Sequence, residues 1–199
     1  MNLMKKIIIL GCLLLVCGCK NIFVVENDNT EYLTGQYTVE MSIKNYGKIT
    51  MLLDADVAPV TVTNFMNLVK TGFYDGNKIH RVANDFVIQG GESNSEEKTI
   101  KGEFLANGYD NTISHVRGAV SMARAGDQTS GYDTASTQFF IVQKDSTFLD
   151  NYYAGFGNVT MGMEVVDKIC KNITKVDENG NIIDEKDMPI IEYIKEIEK

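Results

Sequence analysis

The chain has 199 residues, 44% of them hydrophobic and 23% charged, which is ordinary for one globular domain long enough to bury a core of its own. A formal net charge of -8 and an isoelectric point near 4.8 argue against a nucleic-acid surface, because phosphate neutralisation needs clustered Lys and Arg. The acidity serves mainly solubility.

Residues 1–18 read as an export signal. Lys5 and Lys6 precede the apolar run Ile7 to Val16, which is too short to span a bilayer. The run ends in Val16-Cys17-Gly18-Cys19, the pattern of a bacterial lipobox, in which the last cysteine is lipidated and becomes the first mature residue. Cleavage elsewhere by an ordinary signal peptidase is the alternative. The lipobox reading places the protein at the extracytoplasmic face of a cell membrane, with Cys19 as its lipid anchor and residues 19–36 as a polar tether. Cys12 and Cys17 leave with the signal, so the mature chain has no disulfide framework and keeps Cys170 as a small buried hydrophobe.

The folded domain is expected over residues 37–199. Tyr37, Val39, Met41 and Ile43 alternate with polar residues, Asn45-Tyr46-Gly47 turns the chain, and Ile49, Met51 and Leu53 alternate again, which is a β-hairpin. Pro59 suits a first helical turn, and Val62, Phe65, Met66 and Val69 follow at helical spacing until Gly72. Short strands fit Lys78 to Val82, Phe86 to Gln89, Gly118 to Met122 and Gln138 to Gln143. A second helix fits Met161 to Lys171 with Thr160 as its N-cap. Asn179-Gly180 is a hairpin-type turn and Ile190 to Ile197 a last strand. Many short strands with two distant helices make the fold mainly β, an antiparallel sheet closed on itself with the helices at its ends.

Eight blocks carry a family likeness. They run from Pro59-Val60-Thr61-Val62-Thr63-Asn64-Phe65 and His80-Arg81 through Phe86 to Gly91, Gly102-Glu103-Phe104 and Gly118 to Ala123. Gln138-Phe139-Phe140-Ile141, Phe148-Leu149-Asp150 and Phe156-Gly157-Asn158-Val159 follow. In this order the chain resembles a cyclophilin, a peptidyl-prolyl cis-trans isomerase, over about residues 37–198. The resemblance implies a closed eight-stranded antiparallel barrel capped by two helices, with proline-containing polypeptides as substrates and no cofactor or metal.

The chemistry is consistent with the residue inventory. Amide rotation meets a barrier of about 18 to 20 kcal/mol, and X-Pro bonds exchange over tens to hundreds of seconds. Reaching milliseconds requires removing roughly 5 to 7 kcal/mol. No bond breaks, so the reaction needs no nucleophile. A twisted amide nitrogen regains a lone pair, and a donor aimed at it binds the transition state better than the planar ground state. Arg81 is the expected donor, with Gln89 and Phe86 completing the catalytic set. By resemblance Phe86, Val87, Phe140 and Leu149 line the proline slot, Phe148 and Tyr153 form its rim, and Gln89, Gln138, Ala123 and the backbone at Arg124 hold the peptide. Strand alternation puts Phe139 and Phe140 on opposite faces, so Phe139 is assigned to the core.

Some positions depart from the family pattern. Phe148 stands where well-known eukaryotic members carry Trp, and Tyr153 where they carry His, so cyclosporin binding is expected to be weak. The segment Ala125 to Thr137 is longer than in compact members and is expected to be mobile. A calcium loop at Asp177-Glu178-Asn179-Gly180-Asn181 is rejected in favour of a solvated turn. His80 and His115 are expected to be satisfied structural residues. Two other function classes remain: a non-catalytic proline-peptide-binding chaperone or adhesin of the same fold, and a hydrolase using Ser121 or Ser136 with a histidine.

Overall fold

A computed structural model describes residues 31–93 and 98–198. The expected signal peptide, the lipidated Cys19 and most of the tether lie outside the described residues. Residues from Tyr32 onward belong to one compact unit, so the tail of the segment read as tether is part of the domain. Leu33 donates its N–H to Thr63 Oγ1 at 2.8 Å and Gly35 donates its N–H to Asp56 at 2.7 Å.

The chain forms β1 (Gln36–Ile43), β2 (Gly47–Asp54), α1 (Pro59–Lys70), β3 (Ile79–Ala83), β4 (Val87–Gly90), β5 (Ala119–Met122), β6 (Phe139–Val142), β7 (Gly155–Met161), α2 (Met163–Asn172) and β8 (Ile191–Glu196). The alternation in the first hairpin has the register it requires: Val39 pairs with Met51 and Met41 with Ile49, and all four are fully buried. From α1, Val62, Phe65 and Met66 enter the same core as Val166 and Ile169 of α2. Phe65 packs against Tyr74 at 5.1 Å, Phe139 at 5.5 Å and Phe156 at 5.1 Å between ring centroids.

Eight strands form one antiparallel sheet in the order β3-β4-β6-β5-β7-β2-β1-β8. The expectation of a closed barrel is corrected: β3 and β8 are edges, and among the described residues no ladder joins them. Among the described residues the seam is crossed by the bridge between Lys78 and Ile190, beside which Gly76 N donates to Ile191 O at 2.8 Å. Two features stop the ladder. Pro189 has no N–H to donate, although its carbonyl accepts from Ile79 N at 2.9 Å. The rest of the outer side of β3 is taken by the turn between Val176 and Ile182: Val82 N donates to Gly180 O and Ile182 N to His80 O.

Two further expectations shift. β7 was not anticipated from the sequence, although it lies between β5 and β2. The start of α2 moves as a result. Thr160 lies in β7, not at an N-cap, and Met161 pairs with Thr50. The turn into α2 falls on Gly162, whose φ of +95° suits glycine and whose Cβ position would lie 2.3 Å from Lys48 O.

The N-terminus of α1 is satisfied from a distance. Ala58 supplies no side-chain cap. Glu103, 1% exposed, accepts Val60 N at 3.0 Å and Thr61 N at 2.8 Å through its two carboxylate oxygens. A buried carboxylate at a helix N-terminus meets both the unpaired amides and the dipole. Burial pushes its pKa up against the pull of those bonds. Burial also pushes the Cys170 thiol up to about 11, as expected of an inert core cysteine.

Candidate active site

Sheet register assembles the site. Arg81 on β3 pairs with Gln89 on β4, Gln89 with Phe140 on β6, and Phe140 with Ser121 on β5. Directly opposed residues share a sheet face, so four adjacent strands present these side chains together. Phe139, one residue away, points into the main core, where its ring meets Phe65 and Tyr74 edge-on. Phe140 instead joins a second, smaller cluster with Val87, Ala119, Val142 and Leu149.

That cluster floors a cavity of about 200 Å³ lined by Arg81, Phe86, Val87, Gln89, Ala123, Arg124, Phe140, Leu149 and Tyr153. Of the residues expected in the site, Gln138 and Phe148 do not line it. Gln138 lies in an adjoining pocket of about 240 Å³, which shares Gln89, Ala123 and Arg124 with the first and adds Ala125, Thr134 and Ser136. Phe148 is 62% exposed and stacks on Phe86 at 5.7 Å, forming an outer rim. A larger cavity of about 400 Å³ elsewhere, lined by Asn77, Lys78, His80, Glu92 and Glu185 among others, has mostly polar walls and no comparable apolar slot.

A hydrogen-bond relay runs along the cavity edge. Arg81 Nε donates to Asn179 O at 2.7 Å and Arg81 Nη1 to Gln89 Oε1 at 3.1 Å. Gln89 Nε2 then donates to Gln138 Oε1 at 2.8 Å. The guanidinium carbon stands 5.7 Å from the Phe86 ring centroid. Nη2 makes no hydrogen bond among the described residues, so the fork keeps donors that are not committed to the protein. Burial pushes the Arg81 pKa down, with Tyr153 and Asp177 acting the other way; an arginine stays charged at neutral pH regardless.

The Arg124 side chain has a role that sequence reasoning missed. Its Nε donates to Tyr152 O at 2.9 Å, Nη1 to Ser130 O at 2.7 Å and Nη2 to Asp127 O at 2.7 Å. The rings of Phe104, Tyr132 and Tyr153 lie 5.3, 5.3 and 4.8 Å from the guanidinium carbon. The segment expected to be mobile is therefore wrapped around this guanidinium, and Thr134 Oγ1 closes it by accepting Ala125 N and donating to Gly131 O.

Beneath the slot lies a second unanticipated network. His115 Nδ1 meets Asp150 Oδ1 at 2.8 Å and His115 Nε2 meets Ser121 Oγ at 3.0 Å. Asp150 also accepts His115 N at 2.7 Å and Ser114 Oγ at 2.7 Å. The order Asp-His-Ser imitates a hydrolase triad, but Ser121 and His115 are both 0% exposed. A sealed hydroxyl reaches no substrate, which removes the Ser121 hydrolase reading. The imidazole stacks under Phe140 at 5.9 Å and so supports the slot floor. His80 differs from expectation, since its Nδ1 is buried without a hydrogen-bond partner among the described residues.

Comparison with known proteins shows the family. The family model for cyclophilin type peptidyl-prolyl cis-trans isomerase matches residues 38–193. Peptidyl-prolyl cis-trans isomerase A of Dickeya dadantii is 44% identical over 131 residues, covering 63% of this chain and 67% of that one. Peptidyl-prolyl cis-trans isomerase B of Escherichia coli is 38% identical over 135 residues, covering 63% and 79%. A Cryptosporidium parvum cyclophilin superposes with a TM-score of 0.69 at 24% identity, covering 82% of this chain and 99% of that one. The same parasite protein in the presence of the dipeptide Ala-Pro gives 0.67, with 81% and 99% covered. With the family model spanning most of the domain and curated relatives above 40% identity, the chain belongs to the cyclophilin-type peptidyl-prolyl cis-trans isomerases.

Proposed function

We propose that this isomerase acts on X-Pro bonds of exported polypeptides, assisting their folding at the cell surface or in the periplasm, with Arg81 as the catalytic donor. The observation carrying the reading is the relay of Asn179 O, Arg81, Gln89 and Gln138 along the edge of the apolar cavity. A proline ring enters between Phe86, Val87, Phe140 and Leu149, and water leaves. The amide dipole, which water stabilises in the planar form, loses that stabilisation. As the carbonyl swings, the pyramidal proline nitrogen accepts a hydrogen bond from the guanidinium. Gln89 holds the guanidinium, and Gln138 with the Ala123 and Arg124 backbone holds the peptide. Exchange spectroscopy on short X-Pro peptides tests this directly: peptide affinity without faster exchange would convert the reading to a non-catalytic chaperone or adhesin.

The location rests on the sequence pattern. Two acyl chains on a mature N-terminal Cys19 suffice for stable membrane attachment, where a single chain does not. Cells fed labelled palmitate should label the full-length protein and not the Cys19→Ala variant. Label retained in the variant, or absent from the wild type, would overturn the lipid anchor.

Weak cyclosporin binding belongs to the same reading. Phe148 offers a ring but no N–H donor, and one neutral hydrogen bond is worth about 0.5 to 1.5 kcal/mol. Phe148→Trp is therefore expected to tighten cyclosporin binding by about three- to ten-fold in a titration. Equal affinities would remove residue 148 as the determinant.

A further inference from the structure

The turn that occupies the outer side of β3 bears directly on Arg81. Asp177 N donates to Asn181 O at 2.9 Å and Gly180 N to Asp177 O at 3.0 Å, closing the turn. The Asp177 carboxylate then accepts Asn179 N at 2.9 Å, Asn181 N at 2.8 Å and Asn181 Nδ2 at 2.9 Å. Gly180 has φ of +85°, and a Cβ there would lie 3.0 Å from Val82 O, so the turn is seated closely on the strand. Two successive carbonyls meet β3: Asn179 O accepts Arg81 Nε at 2.7 Å and Gly180 O accepts Val82 N at 2.8 Å.

We propose that Asp177 is a positioning residue for catalysis, holding the 177–181 turn so that Asn179 O fixes the direction of the Arg81 guanidinium at the cavity edge. This rests on the assignment of Arg81 as the catalytic donor. Asp177 is exposed, so solvent weakens the pull of its charge on the guanidinium, whereas its hydrogen bonds to the turn are direct. With the turn slackened, Arg81 keeps its bond to Gln89 but loses the second tether, and a fork held at one point swings. Misplacement of a catalytic group by about 1 Å costs up to about a hundred-fold in rate.

The test measures kcat and KM for X-Pro exchange in Asp177→Ala, Asp177→Asn, Arg81→Ala and the Arg81→Ala/Asp177→Ala double variant, with thermal midpoints alongside. Asp177→Ala is expected to lose about ten-fold in kcat with KM nearly unchanged. Asp177→Asn, whose amide oxygen can still accept the Asn179 and Asn181 backbone N–H groups though its amide nitrogen cannot accept from Asn181 Nδ2, should recover most of that loss. In the Arg81→Ala background the second substitution should change nothing further. The Arg81 Nε–H resonance should shift and exchange faster with water in Asp177→Ala. Wild-type kcat in Asp177→Ala, or an additional loss in the double variant, overturns the proposal. Wild-type kcat in Arg81→Ala instead overturns the assignment beneath it, so the two failures are distinguishable.

Discussion

Arg81→Ala is expected to lower kcat/KM for an X-Pro peptide by between about ten-fold and about a hundred-fold, because a charge-assisted hydrogen bond contributes about 1.5 to 3 kcal/mol net. The fold should be unaffected. Arg81 is an edge-strand residue whose removal frees Asn179 O and Gln89 Oε1, and both groups lie near water. Catalysis needs roughly 5 to 7 kcal/mol in all, so the donor supplies only part, and the variant keeps the share due to the apolar slot. Arg81→Lys is the sharper variant, since it retains charge yet cannot span Asn179 O and Gln89 Oε1 at once. It should recover little of the lost rate. An Arg81→Ala protein with wild-type kcat/KM and an unchanged thermal midpoint would show that the slot alone does the work.

What the sequence discloses about this site follows from how far apart the cooperating residues lie. The β1–β2 hairpin and α1 are legible because alternation and helical spacing are local signals, and both elements are found where those signals place them. β7 is not legible. Its Gly155, Gly157 and Asn158 dilute any alternation, and the strand is held by neighbours on both sides, not by its own composition. The closed barrel failed for a reason visible only in three dimensions, namely that the turn around Gly180 competes with β8 for the edge of β3. Within the site, the opposed faces of Phe139 and Phe140 could be read from alternation alone. The Arg124 clamp, the Glu103 cap and the His115 network could not, because each joins a side chain to partners whose proximity only the fold creates.

The His115 network carries the largest expected effect on stability. Asp150→Ala removes an acceptor of three hydrogen bonds, from His115 N, Ser114 Oγ and the His115 ring. It leaves a fully buried imidazole with one unsatisfied nitrogen, and unpaired buried polar groups cost about 1 to 3 kcal/mol each. A loss of about 3 to 4 kcal/mol in denaturant unfolding is expected near neutral pH. The pH dependence separates this network from generic surface effects. Burial lowers the His115 pKa below its ordinary 6.5, outweighing the pull of Asp150, and burial lowers that of His80 as well. A histidine with a depressed folded pKa leaves stability intact above the unfolded value. Below about 6.5 the unfolded chain takes up the proton first, so stability falls until the folded pKa is passed. Asp150 follows the same rule in a lower window. Burial pushes its pKa up, but its hydrogen bonds from His115 and Ser114 win and hold it below 3.8, so its contribution fades only under strong acid. The wild type should therefore be less stable at pH 5.5 than at pH 7.5. His115→Gln, which has no proton to gain, should show a smaller difference between the two. A wild type equally stable at both values, or an Asp150→Ala protein as stable as the wild type, would mean that the floor beneath Phe140 is held by packing alone.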